Sequence, residues 1–188
     1  IYQLAFDLDT DGQITRPNLI ADPSFERAGD GPMSEAWSCT GNCGIDRNIN
    51  WAHSGSNQGW MRHNTGWIDV HQQVQVEPNT DYDLSAFVTT GGAPAQGALG
   101  VRQVGSGAQV LAESEFTELP EYERQALTFN SGPNTTVEVY VGSNLEGDRW
   151  VQIDDFTLIR AEQQQPAWDL ELSADPAPCT ELRAGDAL

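Results

Sequence analysis

VQIDDFTLIR, residues 151–160, sets two adjacent aspartates inside an apolar β-run. Successive side chains of a strand point to opposite faces of its sheet, so Val151 and Ile153 share a face that Asp154 leaves. A buried carboxylate needs a partner, because an unpaired one in an apolar setting is too costly to keep ionised. Two readings are open. Either the pair meets a hard cation, or one aspartate faces solvent at a strand bulge while the other caps a loop by hydrogen bonds.

Outward from this stretch the same alternation recurs. In VHQQVQV, Val70, Gln72, Val74 and Val76 point one way and His71, Gln73 and Gln75 the other. PNTD turns the chain, and YDLSAFV then places Tyr82, Leu84, Ala86 and Val88 inward with Ser85 and Phe87 outward. GALGVRQV, RQALTFN and TTVEVYVG read as further strands, and helical periodicity is nearly absent from residues 18–160. Short strands with turn signals at intervals of roughly 8–15 residues predict an all-β antiparallel sandwich. Residues 1–17 read as an acidic lead-in. Residues 161–188, rich in Ala, Pro, Gln and acid, read as a linker or tail.

The chain of 188 residues carries 28 acidic groups against nine basic ones, all arginine, for a net charge of −19. Nucleic acid and an acidic membrane surface would be repelled. The charge suits solubility in a salty or extracellular medium, and calcium binding is its other natural use. No apolar run is long enough for a membrane-spanning helix. The start, IYQLAFDLDTDG, has neither a basic n-region nor an apolar h-region, so a signal peptide is absent, already removed, or upstream in a longer parent. Cys39 and Cys43 in CTGNC suit a small disulfide ring, with free thiols as the alternative; Cys179 is left over in the tail. A disulfide implies an oxidising compartment, hence a secreted protein.

NLIADPSFE, Trp37, AHSGSNQGW, GWIDVHQQVQVEPNTDYDLSAFVTT, ALTFNSGPNTTVEVYVG and WVQIDDFTL follow one another in an order that resembles the carbohydrate-binding modules of families 4, 9, 16 and 22. The likeness covers residues 18–160 and rests on order and spacing, not on any single piece. It implies a galactose-binding-like β-jelly roll without catalytic activity, joined to a secreted polysaccharide-degrading enzyme in a multidomain protein. It also implies a structural calcium ion, and a glycan along a concave sheet face or across loops at the sandwich edge.

The resemblance supplies a candidate partner for the aspartates. Glu26 of PSFE would meet Asp155, or Asp154, around calcium, with carbonyl oxygens from Asp22 and the 54–57 turn. A second acidic motif, FDLDTDGQIT, places Asp7, Asp9, Asp11 and Gly12 as in an EF-hand or dockerin loop. Its twelfth position is Asn18 instead of an acid, and Pro17 blocks an exiting helix, so ion binding and an acidic linker both stay open there.

A sugar ring presents apolar C–H faces, so outward aromatics beside polar groups are the residues expected to bind it. Parity exposes Trp67, His71, Gln73, Phe87, Arg102, Glu138, Tyr140 and Trp150, and Trp67 aligns loosely with a sugar-stacking position of some relatives. Trp37, Trp51 and Trp60 offer an edge site instead. The acidic surface favours a neutral plant or algal polysaccharide such as β-glucan, xylan or mannan. Two other classes compete. One is a cell-surface adhesion or structural sandwich without glycan affinity. The other is a hydrolase, or a lyase using His71, Tyr140 and Arg102, although no nucleophile elbow, phosphate loop or His-rich metal motif occurs.

Overall fold

The computed structural model describes residues 16–27, 32–62, 66–92, 96–105 and 107–161, and every regular element among them is a strand. In chain order these are β1 (Ser38–Thr40), β2 (Cys43–Arg47), β3 (Asn57–Arg62), β4 (Trp67–Gln75), β5 (Asp81–Gly91), β6 (Gln96–Gln103), β7 (Val110–Phe116), β8 (Glu123–Asn130), β9 (Thr136–Asn144) and β10 (Trp150–Arg160). They form two five-stranded sheets, β1-β4-β9-β6-β7 and β2-β3-β10-β5-β8, with antiparallel neighbours throughout. The expected all-β sandwich is the observed fold. A disulfide joins Cys39 of β1 to Cys43 of β2, where the chain passes from the first sheet to the second.

Alternation explains the core. Ile68, Val70 and Val74 of β4, Val137, Val139 and Val141 of β9, and Leu99 and Val101 of β6 face Leu84, Ala86 and Val88 of β5 with Val151 and Ile153 of β10. Gln72 has the inward parity too, and its amide is satisfied like a peptide group. Its Nε2 donates to the Ala21 carbonyl and its Oε1 accepts from the Ala21 N–H, both at 2.8 Å. The segment before β1 straps the end of β10 in the same way. Leu19 N–H donates to the Leu158 carbonyl, and Asn18 accepts from Leu158 N–H while donating to the Phe156 carbonyl.

The two aspartates sit on a bulge. The register of β10 on β5 runs from Trp150 opposite Gly91 to Asp154 opposite Phe87, then resumes at Thr157 opposite Ser85. Three steps on β10 thus match two on β5, and Asp155 takes a left-handed φ of 48° to absorb the extra residue. Ile153 and Phe156 therefore both face the core although an even number of residues lies between them. Asp154 and Asp155 are both left outside it.

Gly59 of β3 lies opposite Ile153, where a Cβ would meet Ile153 Cγ1 at 2.9 Å and Phe25 Cζ at 3.0 Å. Overpacking a close-packed core costs about 1–3 kcal/mol. Gly59→Ala is expected to lower stability by that amount in urea unfolding; an unchanged midpoint would show that the Phe25–Ile153 contact yields freely.

Candidate functional site

The outer face of β4, β9 and β6 gathers six of the eight residues singled out for sugar contact. His71 stands opposite Tyr140 and Gln73 opposite Glu138 across β4–β9, while Gly100 and Arg102 of β6 stand opposite Tyr140 and Glu138. Trp67 opens the row on β4, and its indole lies over Gly142, where any Cβ would run into the ring. The residue that organises the face, Asp69, was not singled out from the sequence, although its parity in WIDVHQ is that of Trp67 and His71. Asp69 Oδ2 accepts from Trp67 Nε1 at 3.0 Å and Arg102 Nη1 at 2.8 Å, and Oδ1 from His71 Nδ1 at 2.8 Å. Arg102 also donates through Nε to Glu138 Oε1 at 2.7 Å, and Gln73 Nε2 reaches Glu138 Oε2 at 3.4 Å.

Burial alone would raise the Asp69 carboxyl, but the bonds from His71, Arg102 and Trp67 outweigh it and hold the group well below the usual carboxylate range. Burial likewise opposes the charge of Arg102, and its bonds to Asp69 and Glu138 reverse that and keep it firmly protonated.

Tyr140 has the outward parity expected of it, yet only 1% of it is exposed. Its ring fills the space over Gly100, meets Trp67 edge-on at 6.3 Å, and is covered by the Arg102 guanidinium 4.7 Å from its centroid. Its hydroxyl donates to Glu113 of β7. Burial, then that bond to Glu113, pushes the phenol above its ordinary range. The expectation that Tyr140 stacks on sugar is corrected: the ring is a support beneath Arg102, and its phenol is poorly placed to serve as a catalytic base.

Phe87 and Trp150 belong to the other sheet, on β5 and β10, so the predicted set is divided between two faces. Phe87 is capped by His53, whose ring stacks on it at 3.7 Å and 16°. Trp150 lies over Gly91 and joins Trp51 and Trp60 around a cleft. Trp37, expected at an edge, is a core residue against Phe25 and Phe156, and Trp60 lies in β3 and not in a loop.

The acidic residues of the expected calcium site converge on one loop, residues 53–57. Asp154 Oδ2 accepts the His53 and Ser54 N–H groups at 2.9 and 3.0 Å, and Oδ1 accepts the Asp155 N–H at 2.8 Å. Asp155 accepts from the Ser24 and Ser54 hydroxyls at 2.6 and 2.7 Å and from His53 Nδ1 at 2.6 Å. Glu26 Oε1 accepts the Ser56 and Asn57 N–H groups at 2.6 and 2.8 Å. Burial pushes Asp154 up to about 7, with the charge of Asp155 adding to it against the N–H bonds. Burial would also raise Asp155, but His53, Ser24 and Ser54 hold it below its ordinary value.

Asp22 is engaged elsewhere. Its carboxylate accepts from Arg27 N–H and the Ser34 hydroxyl, and its carbonyl from Trp37 Nε1. All four carboxylates thus accept protein donors: two at Asp22, three at Asp154, three at Asp155 and two at Glu26. Among the described residues no three His, Cys, Asp or Glu side chains gather where a metal could be held. Any calcium here would draw its remaining ligands from hydroxyl and main-chain oxygens, chemistry that suits this ion. Asp7, Asp9 and Asp11 lie outside the described residues.

The fold is the β-sandwich of carbohydrate-binding modules. It is shared with the family 61 module TmCBM61 in complex with β-1,4-galactotriose, at 19% identity and a TM-score of 0.60 over 77% of this chain and 99% of that one. The CBM22-1 xylan-binding domain of Paenibacillus barcinonensis Xyn10C aligns at 15% identity and a TM-score of 0.56, over 74% of this chain and 92% of that one. The CBM22-1–GH10 modules of Clostridium thermocellum endo-1,4-β-D-xylanase 10B, complexed with xylohexaose, align at 13% identity and a TM-score of 0.53, over 81% of this chain and 29% of that one. No protein-family model and no curated protein matches the chain.

Asp69→Asn removes the acceptor that Trp67, His71 and Arg102 share. Breaking a buried pair costs roughly 3–5 kcal/mol; Arg102 keeps Glu138 and reaches solvent, so about 2–4 kcal/mol is expected. Because the folded carboxyl titrates below its unfolded value of about 4, its stabilisation is complete above that pH and is lost as pH falls through the folded value. The melting-temperature gap between wild type and Asp69→Asn should therefore shrink below about pH 4. A gap constant down to pH ~2 would show that the carboxylate charge contributes nothing.

Proposed function

We propose that this chain is a non-catalytic module that binds a polysaccharide on the outer face of β4, β9 and β6. One observation carries the reading. The Trp67 indole lies over Gly142 at the end of a fixed row of polar groups, Asp69, His71, Gln73, Arg102 and Glu138. An indole face buries the C–H face of a pyranose while neighbouring polar groups bond its hydroxyls. Those groups are already held by one another, so little side-chain freedom is lost on binding.

The ligand class follows from charge. Arg102, the cation of this face, is matched by two carboxylates, and the whole chain carries −19. A neutral glycan of the β-glucan, xylan or mannan kind, plant or algal, meets no repulsion there, whereas a uronic acid polymer would. The oligosaccharides named with the similar structures, galactotriose and xylohexaose, are neutral as well. Attachment to a secreted polysaccharide-degrading enzyme completes the reading, by analogy with a xylanase in which a module of this fold is joined to GH10 modules. The lyase alternative is disfavoured by the burial of Tyr140 and its bond to Glu113.

Trp67→Ala is expected to weaken retardation on gels containing β-1,4-galactan, xylan, mannan or mixed-linkage β-glucan by about tenfold or more, a loss of ~1.4 kcal/mol. Retardation equal to wild type in a folded variant would remove this face from the reading. Failure of the wild type to bind any neutral glycan would leave a spacer or adhesion sandwich.

Calcium is a separate part of the proposal, with Glu26 and Asp155 as its carboxylate ligands. Chelation by EDTA should then lower the melting temperature, calcium should restore it, and Asp155→Ala should abolish the response, because an ion that binds only the folded state stabilises it. Melting indifferent to EDTA and to added calcium would strike the ion from the proposal without touching the glycan face.

A further inference from the structure

The second sheet also has an outward face, and its lining is of a different kind. On β3, Trp60 and Arg62 alternate with the core residues Gly59 and Met61. Across the ladder Trp60 stands opposite Gln152 of β10 and Arg62 opposite Trp150. Asp46 of β2, opposite Gln58, lies on the same face, two cross-strand pairs along from Trp60. The loop between β2 and β3 adds Trp51. Its turn is closed by the Asn48 carbonyl, which accepts the Trp51 and Ala52 N–H groups at 2.8 and 3.0 Å. The following residues are clamped by Asp154, Asp155 and Glu26 as described above. Trp51 is nevertheless 54% exposed, so its bonded loop presents an indole to solvent. Asp46, Trp51, Trp60, Arg62, Trp150 and Gln152 line a cleft of about 390 Å³, a size typical of small-ligand sites.

We propose that this cleft is a second saccharide site, taking a short stretch of neutral glycan on the side of the sandwich opposite Trp67. Isolated exposed apolar residues need no explanation, but three indoles converging from β3, β10 and a clamped loop offer apolar faces on several sides. Asp46, Gln152 and Arg62 supply acceptors and donors at the same place, the mixture that a pyranose with C–H faces and hydroxyl edges requires. One carboxylate and one guanidinium leave the lining without net charge, and Arg62 is already paired with Asp148 at 2.9 Å. An anionic ligand would find no unpaired cation, and an ammonium ion would meet Arg62. The site stands on its own observations and does not require the face carrying Trp67.

The test uses the full chain and a panel of neutral oligosaccharides, β-1,4-galactotriose, xylohexaose, cellohexaose and mannohexaose, read by tryptophan fluorescence and calorimetry. In a Trp67→Ala background, which takes the first face out of the reading, at least one of these should still bind, with an affinity lowered tenfold or more by adding Trp51→Ala or Gln152→Ala. Trp51 is half exposed, so that variant should keep the wild-type circular dichroism; Gln152→Ala gives an independent reading if it does not. Binding abolished by Trp67→Ala and indifferent to both cleft variants would overturn the second site and leave the first. Quenching by tetramethylammonium, with none by the sugars, would make the cleft a cation cage and overturn the saccharide assignment. No binding by any probe overturns it as well.

Discussion

Three carboxylates hold one loop, and much of the molecule's outer surface follows from that hold. Residues 53–57 cross the outer face of β10 and β5, where Asp154, Asp155 and Glu26 meet their N–H and hydroxyl groups. The bulge makes this possible, because it turns two consecutive aspartates to the same side of the strand. One aspartate is covered and the other is edged by hydroxyls and an imidazole, so burial dominates Asp154 while hydrogen bonds dominate Asp155. The clamped loop sets His53 on Phe87 and carries Trp51 at its start. The aspartates that interrupt the last strand thus shape a surface rather than a core.

A second constraint is the pairing of large rings with glycine. Trp67 lies over Gly142, Tyr140 over Gly100, Trp150 over Gly91 and Phe116 over Gly97. Glycine weakens a strand interior and often marks a close approach, and in each case here a ring occupies the vacated space. The device lays aromatic rings against the sheet instead of standing them in solvent. Its outcomes differ from ring to ring, even on one face. Tyr140 vanishes beneath Arg102, whereas Trp67 and Trp150 remain partly open.

Alternation in the sequence was enough to identify the sandwich, the inward valines and the outward row from Trp67 to Gln73, because a strand's parity is local geometry. Parity says which side a residue leaves the sheet, but not what then covers it. Tyr140 was misread for that reason: the guanidinium above it arrives from β6, two strands from β4, whose Asp69 it also reaches. Parity also does not say which sheet owns a strand, so Phe87 and Trp150 were grouped with residues on the opposite side. β7 was not singled out, since VLAESEF alternates acids with small and apolar residues and lies at a sheet edge with little burial to mark it. Asp69 was passed over because a carboxylate amid β-formers announces nothing until Arg102, His71 and Trp67 are seen to meet it.

The geometry of two outward faces bears on what binding on both would do. The sheets of a sandwich stack about 10 Å apart with their outer faces turned away from each other. A single extended glycan chain lying along one face does not also lie along the other, so a second site adds little effective concentration for the same chain. Two sites so placed engage two different chains, and the mechanical result is cross-bridging within a polysaccharide network instead of tighter attachment to one strand. The close-packed core lies between them, and the bonds of each are local: Trp67 donates to Asp69 and Trp51 N–H to the Asn48 carbonyl, which argues for independent sites. Affinity at each proposed site would then be set locally: by the Asp69–Arg102 lattice on one side, and on the other by the loop that Asp154, Asp155 and Glu26 hold in place.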